Sequence, residues 1–207
     1  MKYIYEFIGT FFLILTVGMT VLNPNSAGSF APLAIGLILA ALVFSGGHLS
    51  GAHYNPAISL AVFLRRKLSA KDFGLYILVQ FVAAVAAGYL TIYLKGAPSL
   101  ETPPIDLLKA FIAEFLFTFL LCFVVLNVAT AKETKNNSYY GLAIGLIVVA
   151  GAYAMGAISS AAFNPAVALG ITIMKFANWA NIWVYFLANF IGGCVAAYLF
   201  KLAHKKA

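Results

Sequence analysis

Charge is what this sequence has least of. Only 9% of its 207 residues are Asp, Glu, Lys or Arg, against 63% hydrophobic, and the mean hydropathy is +0.97. A soluble domain carries about 25% charged residues, so the composition excludes one and describes a polytopic membrane protein. Cysteine is nearly absent: Cys122 and Cys194 both fall inside apolar runs. That excludes a disulfide framework and a Cys-based metal site, and leaves two thiols acting as small hydrophobes. No nucleophile–base pair or metal-ligating cluster occurs, so neither an enzyme nor a bound metal or cofactor is expected. Long polar stretches are missing too, leaving no room for an extramembrane domain. The N-terminal apolar run has no small-residue cleavage pattern and reads as a first span, not a removed signal peptide.

The charge that is present is basic, +7 net. In a soluble chain this would suggest nucleic acid, but the basic residues sit in short loops and at the ends, where topology explains them and no nucleic acid is expected. With the N-terminus inside, Lys2, Arg65, Arg66, Lys67, Lys71, Lys132, Lys135, Lys201, Lys205 and Lys206 fall on the cytoplasmic side. Lys95, Lys109 and Lys175 fall on the other. The imbalance predicts a multi-pass protein of the cell (plasma or inner) membrane with both termini cytoplasmic, and the compact chain suggests a prokaryotic one.

Six apolar segments are long enough to span, at about 3–22, 31–47, 72–94, 106–130, 139–155 and 178–202. Two further stretches interrupt them. Gly-His-Leu-Ser-Gly-Ala-His-Tyr-Asn-Pro-Ala occupies 47–57 and Gly-Ala-Ile-Ser-Ser-Ala-Ala-Phe-Asn-Pro-Ala occupies 156–166. Asn is a strong helix cap and Pro suits the first helical position, so Asn55-Pro56-Ala57 and Asn164-Pro165-Ala166 are helix starts. Each helix has only about ten residues before Arg65 or Lys175, roughly 15 Å or half a hydrocarbon core. Two half-helices starting at mid-membrane, after irregular backbone at 48–54 and 157–163, are predicted.

The two halves repeat each other. Glu6-Phe7-x-x-Thr10 matches Glu114-Phe115-x-x-Thr118, Ala34-Ile35-Gly36-Leu37 matches Ala143-Ile144-Gly145-Leu146, and Gln80-Phe81 matches Asn189-Phe190. Three spans per half is an odd number, so the second copy enters the membrane upside down. The fold class expected is an all-α membrane protein: six transmembrane helices plus two re-entrant half-helices in an inverted 3+3 repeat. One channel domain over 1–207 is divided into repeat one at 1–95, a linker at 96–105 and repeat two at 106–207.

Irregular backbone at membrane depth must be buried in protein or line a water-filled cavity. Unpaired carbonyls of the two loops would offer acceptors to a passing solute, and each half-helix brings about +0.5 charge to the centre, which disfavours cations and protons. The Asn55 and Asn164 oxygens can cap their helices while each NH₂ donates into the lumen. This describes a passive pore. Glu6 and Glu114 are intramembrane carboxylates, read as structural braces accepting N–H groups from their own re-entrant loops. The competing reading uses them for proton coupling in a secondary transporter, and a third class is a structural membrane protein with a closed pore. His48 and His53 read as loop-packing donors. Tyr3, Tyr5, Phe73, Tyr76, Trp179 and Trp183 read as interface anchors, and Gly74, Gly88, Gly192 and Gly193 as close helix contacts.

Both Asn-Pro-Ala boxes, the Ser50-Gly-x-His-x-Asn-Pro-Ala57 form of the first, and the Glu-x-x-x-Thr opening of each half together resemble the aquaporin (major intrinsic protein) family over essentially the whole chain. The resemblance implies a right-handed bundle, a pore in each subunit and a homotetramer in the lipid bilayer. It also implies that carbonyls of Gly51, Ala52, His53 and Tyr54, and of Ser160, Ala161 and Ala162, line the pore. Family members usually carry Arg at the narrowest outer constriction, where this chain has Val167. Matching back from the motifs puts the other constriction positions at Ile35, Ala152 and Ala161, all apolar. The expectation is a wide, apolar filter passing water and small uncharged solutes such as glycerol, urea, ammonia or undissociated metalloid acids. Ions and protons are expected to stay excluded.

Overall fold

A computed structural model describes residues 1–96 and 104–204. Among these, eight α-helices form: α1 Lys2–Val21, α2 Ala31–Ser50, α3 Pro56–Leu64, α4 Ala70–Lys95, α5 Leu107–Thr130, α6 Tyr140–Ser159, α7 Pro165–Ile173 and α8 Ile182–Ala203. Six of them are long and apolar enough to cross a membrane, and α3 and α7 are the two short ones of nine residues each. Most of the expected 96–105 linker lies outside the described residues.

Local chemistry sets where helices start. Asn55 and Asn164 stand in extended conformation and fold their side-chain oxygens over the next turn: Ala57 N donates to Asn55 Oδ1 at 2.8 Å and Ala166 N to Asn164 Oδ1 at 2.9 Å. Pro at the first helical position then needs no partner for its nitrogen. Ser69 caps α4 and Asp106 caps α5 in the same way. Helix ends differ from expectation. The segments 48–50 and 157–159, predicted irregular, are helical, and α2 and α6 run on to Ser50 and Ser159. In a membrane the backbone closes its own hydrogen bonds until something stops it. The stops are left-handed residues, Gly51 (φ +85°) and Ser160 (φ +67°), so irregular backbone is confined to 51–54 and 160–163.

Packing relates the halves. α1 lies on α4 and α2 as α5 lies on α8 and α6; α3 sits against α8 and α5 as α7 sits against α4 and α1; and α2 packs on α6 across the middle. Each of these helix contacts has its counterpart, which is the pattern of a two-fold axis in the membrane plane. Small residues allow the close approaches: a methyl on Gly193 would lie 2.8 Å from the Ala57 carbonyl oxygen, and one on Gly192 2.9 Å from that of Phe115. Gly88 is similarly closed in by Ile173. Gly74 faces open space and is not a helix contact. Tyr76 is likewise no interface anchor: it is fully buried and its hydroxyl donates to the Ser50 carbonyl at 2.6 Å. Trp179 and Trp183 are exposed on the outer surface.

Candidate functional site

The two half-helices meet tip to tip, and their asparagines cross over. Asn55 Nδ2 donates to the Phe163 carbonyl at 2.9 Å and Asn164 Nδ2 to the Tyr54 carbonyl at 2.8 Å. Each NH₂ therefore spends one hydrogen on the opposite loop. One hydrogen per amide remains for the lumen, not two, and the Tyr54 carbonyl already serves an acceptor role within the protein. Both loops follow the same unusual path. Positive φ recurs at Gly51, Ala52 and Tyr54 in the first and at Ser160, Ala161 and Phe163 in the second. Most of these are not glycine, and such conformations cost of order 1 kcal/mol or more each.

The carboxylates hold that path. Glu6, completely buried, accepts from Ser50 Oγ (2.7 Å), His53 N (2.9 Å), Tyr54 N (2.7 Å) and Gln80 Nε2 (2.9 Å). All four partners are donors, the set an ionised carboxylate takes. Glu114, equally buried, accepts from Ser159 Oγ (2.7 Å), Ala162 N (2.8 Å) and Phe163 N (2.7 Å). Bonds of this number to one carboxyl group offset the strained dihedrals.

Two cavities open on either side of the asparagines. The first, about 220 Å³, runs from Val21, Ala31 and Phe176 to Asn55 and Asn164. Its wall contains Ile35, Ala152, Ala161 and Val167 together, and also His53, Tyr54, Ser160 and Ala162. The second, about 410 Å³, lies toward the face that carries Met1 and His204, between Gly51, Val62, Lys67, Leu68, Val125 and Thr130. His53 borders both. Ala52 is in the wall of neither. Among the described residues no group of His, Cys, Asp or Glu is arranged to hold a metal ion.

Comparison with known proteins follows the same lines. The family model described as major intrinsic protein matches residues 1–200. The chain belongs to that family. Nodulin-26 of Glycine max is 32% identical over 210 residues, covering 97% of this chain and 77% of its own. Glycerol uptake facilitator protein-like 6 of Lactiplantibacillus plantarum is 31% identical over 206 residues, covering 95% of each. Among solved structures, the aquaglyceroporin from Plasmodium falciparum superposes with a TM-score of 0.81 at 23% identity, over 99% of this chain and 96% of that one. It shares the fold. This major intrinsic protein is thus a multi-pass membrane channel, and no residue of its site was farther from view in the sequence than Gln80 and Ser59. Both touch the pathway only through other side chains. The pairing of Gln80 with Asn189 across the repeat was the one pointer to the first.

Proposed function

We propose that this protein is a passive channel for water and small uncharged solutes, wider in its solute range than a strict water pore. What carries the reading is the outer cavity. The four positions matched to the family's constriction stand together in one wall as Ile, Ala, Ala and Val. Two are only methyl groups, and none brings a charge or a hydrogen-bond donor. Such a passage rejects little among small neutral molecules, so glycerol, urea, ammonia and undissociated metalloid acids pass with water. The relative named for glycerol uptake supports this reading. Carbonyls of Gly51, His53, Ser160, Ala161 and Ala162 supply the acceptors, and Asn55 and Asn164 each keep one donor for the solute.

Glu6 and Glu114 serve as braces. Their hydrogen bonds go to loop backbone and fixed side chains, which ties each carboxyl group to the loop of its own repeat. Exposed Ile4, Phe12, Phe44, Leu78 and Leu116 present an apolar surface to lipid and to neighbouring subunits. A homotetramer with both termini cytoplasmic, in a cell membrane, completes the reading.

Stopped-flow light scattering on liposomes containing the purified protein tests it. Flux of water, glycerol and urea should rise linearly with gradient. Water flux with no glycerol or urea uptake would reduce the protein to a strict water channel, and saturable, gradient-coupled uptake would make it a transporter.

A further inference from the structure

We propose that Gln80 and Ser59 lock His53 as a neutral, one-way hydrogen-bond donor facing the pathway, adding a third directional group to the two asparagines. This rests on the cavity being the route of permeation. His53 Nδ1 lies 3.1 Å from Ser59 Oγ, and Gln80 Nε2 lies 3.1 Å from the same oxygen and 2.9 Å from Glu6 Oε2. Ser59 and Gln80 are completely buried and His53 nearly so.

Counting hydrogens fixes the direction. An amide oxygen would be repelled by the Glu6 carboxylate, so the group facing it is the Gln80 NH₂, with one hydrogen for Glu6 and one for Ser59. Ser59 Oγ therefore accepts from Gln80 and has a single hydrogen of its own to give. Thr16, Thr91 and Thr172 turn theirs back onto the carbonyl four residues earlier. Among the described residues Ser59 makes no such bond, and its only acceptor is His53 Nδ1. With Nδ1 accepting, the ring proton must sit on Nε2. Among the described residues Nε2 has no hydrogen-bond partner, yet it is not among the occluded buried atoms, and His53 borders both cavities. It lies over Gly51, where an added methyl would be 3.2 Å away.

The inverted repeat is an internal control. Two residues before Asn164 stands Ala162, four after it Ala168, and twenty-five after it Asn189, in place of His53, Ser59 and Gln80. All three members of the relay are replaced together. Asn189, one methylene shorter, accepts instead from Thr118 Oγ1 at 2.8 Å and leaves its Nδ2 unpartnered. The half without an imidazole to orient has no orienting hydroxyl or amide. In the locked form His53 has no free lone pair for a proton from the lumen, and it can only donate to an acceptor on the passing molecule.

The test is ¹⁵N magnetic resonance of the full chain in lipid, with His48→Gln and His204→Gln so that His53 is the one imidazole. The expected spectrum has a pyridine-type Nδ1, a pyrrole-type Nε2 and a cross-peak from Nε2–H to water. Ser59→Ala should lower the tautomer ratio by roughly 2- to 10-fold, the worth of one hydrogen bond, and Ser59→Thr should restore it. Gln80→Met tests the lock from its other end should Ser59→Ala fail to fold. A pyrrole-type Nδ1 in the unsubstituted relay, a ratio unmoved by Ser59→Ala, or no contact between Nε2–H and water would each overturn the proposal. Because the readout is spectroscopic, it stands or falls separately from the solute-flux assay.

Discussion

Two buried carboxylates in matched positions do unequal amounts of bonding, and that inequality is measurable residue by residue. Glu6 has four donors and Glu114 three. Replacing either by Gln turns one acceptor into an NH₂ facing other donors, which costs about 2–4 kcal/mol. Thermal unfolding in detergent should show Glu6→Gln lowering the midpoint more than Glu114→Gln; the reverse order would mean the bonds do not hold the loops. In the wall of the 220 Å³ cavity, Val167 is buried among apolar neighbours and contributes no donor. Val167→Arg introduces a fixed cation and a longer side chain there. Glycerol and urea uptake should fall about tenfold while water flux persists, and unchanged uptake would place the constriction elsewhere.

The helices show which parts of this architecture a sequence states openly. Asn-Pro-Ala announces a helix start because the cap and the proline act on adjacent residues, and α3 and α7 begin there. Helix ends were less legible. Gly46-Gly47 and Gly156 look like breakers, yet α2 and α6 continue through them, since apolar surroundings reward internal backbone bonding more than glycine entropy penalises it. A left-handed glycine at 51 is a familiar stop; a left-handed serine at 160 has no comparable signature. The asparagine crossover was out of reach for another reason: it joins residues more than a hundred positions apart. α8 shows how closely these elements are set. The methyl in Gly193→Ala would meet backbone, the Ala57 carbonyl oxygen at 2.8 Å, and backbone cannot rotate away. α3 must move, costing about 1–3 kcal/mol and shifting Asn55. A lowered unfolding midpoint together with reduced water flux is expected, whereas Gly74→Ala, helical and facing open space, should lower neither, since alanine favours the helix over glycine.

At the scale of the whole molecule the decisive property belongs to neither repeat alone. α3 and α7 enter from opposite faces and their N-termini converge, so two half-charges of about +0.5 add at the centre. Among the residues of both cavity walls the one charged side chain is Lys67, on the face that carries Met1 and His204. Nothing near the asparagines compensates a cation that has shed its water, and dehydration costs tens of kcal/mol in a low-dielectric passage. Exclusion of cations and protons therefore does not need an arginine at position 167. The sum of the two dipoles can be offset by one atom-for-atom exchange, Asn164→Asp, which keeps a helix-capping oxygen toward Ala166 N and so preserves the half-helix. It places a negative charge where both positive ends meet and removes the donor to the Tyr54 carbonyl. Proton flux under an imposed pH gradient, followed with a dye trapped in liposomes, should be near background for the native chain and clearly above it for Asn164→Asp. If the native channel leaks protons as fast as the variant, convergent dipoles are not what keeps charge out.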